Sequence, residues 1–266
     1  MRDSFGRTIN YLRISVTDRC NLRCRYCMPP EGVQLLPREA ILSFDEIVEI
    51  AQAAADIGFI KLRLTGGEPL VRRDIEVLVE MLAGIESIED LAMSTNGTLL
   101  ADHADALAAA GLQRVNISLD ALNPEHYTEI TGGGHLPDVL AGIEAARVAG
   151  LCPIKLNCVV SESSAAPDAV DVARFAHDND FQIRFIHRMD LPTGKFSVVE
   201  GGSGGDCPHC NRLRLSSDGM VRPCLFSDRA FSVRELGPAQ ALRQAIREKP
   251  EAGGPCTHNW MRGIGG

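Results

Sequence analysis

The sequence predicts an α/β fold in which a parallel β-sheet curves into part of a barrel. Over about the first 190 residues, six strand-like segments alternate with helix-like segments, and such alternation is typical of right-handed βαβ units. Polar motifs also follow the ends of successive strands, where parallel barrels place their functional residues. Six units are too few for a closed eight-stranded barrel. We therefore expect a partial (β/α)6 TIM-like barrel over residues 1–190.

The elements of this barrel follow from the spacing of apolar residues. Residues 11–16 alternate in polarity and are rich in β-forming side chains, which predicts the first strand. Residues 43–46 have the sequence of a capping box, and the apolar pattern after them predicts a helix that ends before Gly58. Similar patterns predict strands at 60–65, 90–95, 114–119, 153–160 and 182–186, and helices at 74–83, 101–110, 136–149 and 167–178.

A smaller C-terminal section is predicted over residues 191–266. The strand–helix alternation stops after Met189, and a glycine-rich loop follows at residues 201–205. Beyond this loop the sequence predicts a hairpin around residues 217–219 and a helix near residues 238–249.

Composition excludes several classes of function. The chain has 266 residues, a net charge of −8 and a pI near 5.4, which argues against nucleic-acid binding. It has no apolar stretch of the roughly 20 residues that a membrane span needs, and no secretory signal is visible at its start. We therefore expect a cytoplasmic protein. Its nine cysteines are then expected to be metal ligands or buried thiols rather than disulfides.

The first cysteine cluster directly follows the first predicted strand. Cys20, Cys24 and Cys27 have the spacing C-x3-C-x2-C. Three thiolates can hold three irons of a [4Fe-4S] cluster and leave the fourth iron open for a ligand. The alternative is a zinc site, but that metal prefers four ligands and no histidine lies nearby in the sequence.

A second cluster comprises Cys207, Cys210 and Cys224, with the spacing C-x2-C-x13-C. Spacing alone is equally compatible with an iron–sulfur cluster and with a zinc knuckle. In the second case His209 or Cys256 would supply the fourth ligand.

The first cysteine motif, with Tyr26 directly before its last cysteine, resembles the signature of the radical S-adenosylmethionine (SAM) enzymes. This resemblance implies that the open iron binds the amino and carboxylate groups of SAM. Further motifs at the ends of later strands also resemble that family's SAM contacts. The residues implied in SAM binding are Tyr26, Gly66, Gly67, Glu68, Asn96, Ser118 and Met189.

The segments 210–215 and 222–226 resemble, more narrowly, the GTP 3',8-cyclase family of molybdenum cofactor biosynthesis. The resemblance implies a second [4Fe-4S] cluster whose open iron binds guanine, so residues 191–266 become a linker and an auxiliary-cluster section. It implies catalytic roles for Cys20, Cys24, Cys27 and Arg13. The C-terminal residues 264–266 also resemble the family's glycine tail. The residues implied in GTP binding are Arg13, Lys61, Arg63, Ser94, Lys155, Arg184, Arg212 and Arg214.

The basic residues make physical sense for a nucleoside triphosphate. A single surface lysine or arginine is usually only a solvated charge. Arg13, Arg63 and Lys155 instead lie within predicted strands between apolar neighbours, and cations inside a barrel require an anion. There is no glycine-rich phosphate loop, so side chains would have to bind the phosphates.

Two features depart from the resemblance. The stretch between Met189 and Cys207 is several dozen residues shorter than in the family, and His187 stands where glutamate is common. An alternative is therefore a radical SAM enzyme with an auxiliary cluster that acts on another nucleotide or a peptide. A zinc-stabilised binding protein is the third alternative, and it leaves the strand-end motifs unexplained.

The resemblance also implies partners. These are an electron-donating protein, a downstream cyclic pyranopterin monophosphate synthase and a possible second copy of the chain in a homodimer.

Overall fold

The computed structural model describes residues 1–28, 32, 34–161 and 163–257. The barrel strands are β1 Tyr11–Ser15, β2 Lys61–Thr65, β3 Asp90–Thr95, β4 Arg114–Ser118, β5 Lys155–Val160 and β6 Gln182–His187. Its helices are α1 Phe44–Asp56, α2 Ile75–Ala83, α3 Leu100–Ala109, α4 Pro124–Thr131, α5 Leu136–Val148 and α6 Pro167–Asp178. Each neighbouring pair from β1 to β6 is parallel, so the predicted partial (β/α)6 barrel is confirmed.

The C-terminal elements extend the same sheet. They are β7 Arg212–Leu215, β8 Met220–Arg222, β9 Phe231–Ser232, α7 Val233–Leu236 and α8 Pro238–Arg247. β7 pairs in parallel with β1, whereas β8 and β9 continue as an antiparallel meander, and the sheet order is β6-β5-β4-β3-β2-β1-β7-β8-β9. The hairpin predicted around residues 217–219 joins β7 to β8. Pairing of β7 with the barrel was not apparent from sequence, because β7 is only four residues long.

The predicted capping box begins α1. Ser43 Oγ accepts a hydrogen bond from Glu46 N at 3.2 Å, and Glu46 Oε2 accepts one from Ser43 N at 2.7 Å. Arg234 of α7 pairs with the same carboxylate at 2.9 Å, so the C-terminal section is tied to the first helix of the barrel.

The barrel strands separate an apolar face from a polar one. Leu12, Ile14, Leu62 and Leu64 are fully buried in the main core, against which the helices pack. The residues between them, Arg13 and Arg63, line a cavity on the other face of the sheet. Side chains alternate along a strand, so this pattern leaves a polar interior with room for a ligand. Across the described residues, no helix is long and apolar enough to cross a membrane.

Candidate active site

One cavity of about 640 Å³ runs through the interior of the partial barrel. The two cysteine sets lie at opposite ends of the barrel strands. The loop with Cys20, Cys24 and Cys27 follows the carboxyl end of β1, whereas Cys210 precedes β7, which is parallel to β1. Every predicted site residue lines this cavity: Arg13, Cys20, Cys24, Tyr26, Cys27, Lys61, Arg63, Gly66, Gly67, Glu68, Ser94, Asn96, Ser118, Lys155, Arg184, Met189, Cys207, Cys210, Arg212, Arg214 and Cys224.

Backbone hydrogen bonds hold the first cysteine loop in place. Cys27 N donates to Cys24 O at 2.9 Å, which makes a turn that brings these two residues together. Arg23 N and Arg25 N donate to carbonyls at the end of α4, at 2.9 and 3.0 Å. Burial raises the pKa of Cys24 to about 12, and Cys27 also contributes to the shift. Cluster binding must therefore displace a proton from the Cys24 thiol, because thiolate is the form that binds iron.

The turn after β2 lies directly against the start of this loop. Gly67 N donates to Thr17 O at 2.8 Å, and Glu68 N donates to Arg19 O at 2.8 Å. Gly66 has φ +155°, and a Cβ there would lie 2.5 Å from Thr17 O. Only glycine permits this close approach without a shift of the backbone.

We expect Gly66→Ala to lower the free energy of unfolding by roughly 1–3 kcal/mol, because the added methyl group meets backbone that cannot give way. Urea unfolding measures this change. Gly84→Ala is the matched control, since Gly84 has an ordinary φ of −71° at the end of α2. Equal effects at the two glycines would contradict the prediction.

Glu68 connects three segments around the turn. Its carboxylate is 1% exposed and accepts hydrogen bonds from Leu70 N at 3.1 Å, Thr95 Oγ1 at 2.7 Å and Asn96 N at 2.7 Å. Burial raises its pKa to about 7, although these three donors act in the opposite direction. Asn96 Nδ2 in turn lies 3.8 Å from Cys20 Sγ, so the third strand end also contacts the first cysteine loop.

Tyr26 is anchored by a buried carboxylate. Its hydroxyl donates to Asp120 Oδ2 at 2.8 Å, and Val159 N donates to Asp120 Oδ1 at 2.7 Å. Burial raises the pKa of Asp120 to about 6 and that of Tyr26 well above its ordinary value. Tyr26 therefore stays protonated and holds the cysteine loop against the carboxyl ends of β4 and β5.

The strand register assembles the basic residues into rows. Tyr11 of β1 is level with Lys61 of β2 and Arg212 of β7. Two residues further along β1, Arg13 is level with Arg63 of β2 and Arg214 of β7. Level residues on neighbouring parallel strands point to the same face, so both rows face the cavity between the two cysteine sets.

Several cations that line the cavity lack a full set of hydrogen-bond partners. Among the described residues, buried Nε atoms of Arg63, Arg184 and Arg212 have no hydrogen-bond partner. Burial and neighbouring cations lower the pKa of Lys155 to about 8. Burial also lowers the pKa of the Arg13 guanidinium, which nevertheless stays charged at neutral pH. Such a surplus of buried positive charge requires an anionic ligand.

Two cavity residues of β4, Arg114 and Asn116, were missed by sequence reasoning. Arg114 lies beside these cations and pairs with Asp90 at 2.6 Å. The amide of Asn116, with its oxygen turned toward the arginines, accepts from Arg63 Nη1 at 2.5 Å and Arg184 Nη1 at 3.1 Å. Their alternation with apolar neighbours in β4 was the available signal, but strand register was needed to place them near Arg63.

Backbone contacts bring the cysteines of the second set close to one another. Cys210 N donates to Cys207 O at 3.2 Å, and Cys224 lies just beyond β8, near the start of β7. His209 is exposed and lies 3.0 Å from an Asp206 oxygen, while Cys256 Sγ donates to Leu191 O at 3.4 Å. Both side chains considered as a fourth zinc ligand thus have other partners.

The short linker forms part of the cavity wall. Glu200 and Phe185 exchange two backbone hydrogen bonds of 3.1 Å, so the linker continues along the edge of β6. His187 Nε2 lies 2.8 Å from Glu200 Oε1. A carboxylate from the linker thus lies beside His187, the position at which the sequence resemblance implies glutamate. The predicted role of residues 264–266 falls outside the described residues.

The donor chemistry fits iron–sulfur clusters. Each set supplies three partly exposed thiols that line the cavity. In the described part of the chain, no three histidine, cysteine or acidic side chains converge tightly enough to hold a single metal ion. Thiolate is the ligand that holds iron–sulfur clusters in proteins, so the chemistry of each cysteine set fits such a cluster.

Comparisons with known proteins agree with this reading of the fold and site. The family model for the radical SAM superfamily matches residues 14–175. The structure of anSMEcpe with bound AdoMet has a TM-score of 0.64 at 16% identity, and the match covers 91% of this chain and 81% of that one. For SuiB of Streptococcus suis bound to the peptide SuiA, the TM-score is 0.55 at 17% identity, with coverage of 70% and 40%. These distant structures support the fold alone.

Relatives of higher sequence identity identify one family within this superfamily. A GTP 3',8-cyclase of Listeria monocytogenes is 40% identical over 303 residues, covering 94% of this chain and 91% of the relative. One of Moorella thermoacetica is 41% identical over 286 residues, covering 91% and 88%. The chain therefore belongs to the radical SAM superfamily and, within it, to the family of the GTP 3',8-cyclases. An alignment of 303 residues against a chain of 266 also means that the Listeria relative has residues this chain lacks.

Proposed function

We propose that this protein is a radical SAM GTP 3',8-cyclase, a lyase that converts GTP to (8S)-3',8-cyclo-7,8-dihydroguanosine 5'-triphosphate in the first step of molybdenum cofactor biosynthesis. One observation carries the proposal. Two rows of cations lie inside the barrel, between two separate sets of three cysteines. The positions suit a triphosphate nucleotide held between two clusters.

The SAM half of the site is built at the carboxyl ends of the strands. Cys20, Cys24 and Cys27 hold the first [4Fe-4S] cluster, and the turn that carries Glu68 binds the SAM amino group. When bound, this cluster and SAM supply one-electron chemistry that removes a hydrogen atom from the substrate sugar. Tyr26, Asn96 and Ser118 lie in the cysteine loop or at strand ends and line the cavity, where they would orient SAM. Met189 is assigned to SAM as well; it also lines the cavity and packs against Leu225 and Phe226.

The GTP half extends toward the opposite end of the barrel. Cys207, Cys210 and Cys224 would hold the second [4Fe-4S] cluster, and that cluster would supply a binding site for the guanine base. A guanidinium group can donate two parallel hydrogen bonds to the oxygens of one phosphate. Arg63 and Arg184 can therefore position the triphosphate. Contact with the phosphates would satisfy their unpartnered buried Nε atoms. The remaining substrate contacts are assigned to Arg13, Lys61, Ser94, Lys155, Arg212 and Arg214.

Formation of 5'-deoxyadenosine tests the proposal. The protein is reconstituted with iron and sulfide without oxygen, then given SAM and dithionite with and without GTP. We expect GTP to stimulate formation of 5'-deoxyadenosine and to be consumed. If SAM is cleaved but GTP has no effect and persists, the enzyme acts on another nucleotide or a peptide. A colourless protein that contains zinc would contradict both functions.

We expect GTP affinity to fall as pH rises above about 8, by up to about tenfold per pH unit. The pKa of Lys155 is about 8 in the free protein, and bound phosphate favours its protonated form. Binding then requires a proton that is lost at higher pH. Equilibrium dialysis between about pH 7 and pH 9 measures the dissociation constant.

Lys155→Arg is the matched control, because arginine keeps its charge throughout this pH range. The fall in affinity is expected to be much smaller in this variant. An identical pH profile for both proteins would show that another group controls GTP binding.

The partners follow from the proposed function. We propose that a reductant protein supplies electrons and that a cyclic pyranopterin monophosphate synthase uses the product. We also propose that the enzyme acts in the cytoplasm as a homodimer, which sedimentation of the reconstituted protein would test.

A further inference from the structure

A buried lysine bridges the segments that carry the second cysteine set. Lys249 comes just after α8 and is 3% exposed. Its Nζ donates to Arg212 O at 2.8 Å and to Pro223 O at 2.6 Å. Arg212 is two residues past Cys210, and Pro223 directly precedes Cys224. One ammonium group therefore joins two chain segments that are far apart in sequence.

The same ammonium group places a positive charge beside the cysteines. Lys249, Cys210 and Cys224 all line the same cavity, and the two carbonyls that Lys249 binds lie two residues past Cys210 and directly before Cys224. No carboxylate in the described part of the chain forms an ion pair with Lys249, and the two carbonyls that it binds are uncharged.

Arg7 shows a contrasting arrangement at the same place. It donates to Cys207 O at 2.8 Å and to Pro250 O at 2.6 Å, so it too holds a cysteine segment against residues 249–251. Its charge, however, is paired with Asp3 at 2.6 Å. Both cations fasten the backbone around the cysteines, but only the charge of Lys249 is left to act on them.

We propose that Lys249 is a positioning residue for the second cluster. It holds the Cys210 and Cys224 segments together, and its charge favours the reduced form of the cluster. The inference rests on the proposed assignment of a [4Fe-4S] cluster to Cys207, Cys210 and Cys224. One electron taken up by such a cluster adds one negative charge beside the ammonium, which stabilises that form.

The test uses the full chain in a Cys20→Ala/Cys24→Ala/Cys27→Ala background, so that only the second cluster is present. Lys249→Gln removes the charge but keeps N–H donors for the two carbonyls, whereas Lys249→Met removes both. Lys195→Gln is the control, because Lys195 is exposed. Dithionite titration followed by electron paramagnetic resonance gives the reduction potential, and iron release to a chelator gives cluster retention.

We expect Lys249→Gln to keep its iron while the ratio of reduced to oxidised cluster at a fixed potential falls at least about tenfold, or 59 mV for one electron. Lys249→Met is expected to release iron several-fold faster, and Lys195→Gln to match the background. An unchanged potential in Lys249→Gln overturns the inference, whatever the iron retention. A background protein that binds no iron–sulfur cluster overturns the cluster assignment itself, which separates the two failures.

Discussion

Cys24→Ala is expected to lower SAM cleavage by at least about a thousandfold, because the residue is one of only three thiolates available to the first cluster. Among the described residues of this loop, Tyr26 offers no substitute ligand. Tyr26 donates its hydroxyl to Asp120 at 2.8 Å, and its raised pKa keeps it protonated. Formation of 5'-deoxyadenosine by the anaerobically reconstituted protein measures the effect.

Cys152→Ala is the matched control for this experiment. Cys152 is exposed and lies outside the cavity lining, so its loss is expected to leave both iron content and SAM cleavage unchanged. Iron content should fall in Cys24→Ala, while the iron of the second cluster remains. Substantial SAM cleavage by Cys24→Ala would show that the first cluster is held in another way.

Cys210→Ala is expected to separate the two halves of the site. Cys210 lies at the end of the barrel opposite Cys24, so its loss should leave SAM binding and uncoupled SAM cleavage in place. GTP consumption should fall by about a hundredfold or more, because the second cluster would no longer hold the substrate in register with the first. Product formation and 5'-deoxyadenosine are measured in the same reaction.

Cys256→Ala tests whether this effect is specific. Cys256 is buried near Cys224, and its thiol donates to Leu191 O at 3.4 Å. Its loss should cost about 1–2 kcal/mol of stability and leave the second cluster in place. Loss of SAM cleavage and GTP consumption together in a folded Cys210→Ala protein would contradict the proposed division of roles.

Local patterns were sufficient to predict the elements of the barrel. The Ser43–Glu46 capping box needed only neighbouring residues, and the alternation in β1 is visible over a few positions. The observed ends of α1 and β3 lie within one residue of the prediction. α4 was missed, although Asn123 caps it with two backbone hydrogen bonds, because its apolar pattern is weak over eight residues.

The sequence by itself determined the class of protein, since both cysteine motifs and the strand-end turns are local and can be read without a structure. Tertiary structure decided how these motifs combine. Only parallel pairing of β7 with β1 places Cys210 at the far end of the cavity and makes Arg214 level with Arg13. Only packing at the end of α8 brings Lys249 between Arg212 and Pro223. The physical reason is that strand register and long-range packing depend on the whole core, whereas turns and caps depend on neighbours in sequence.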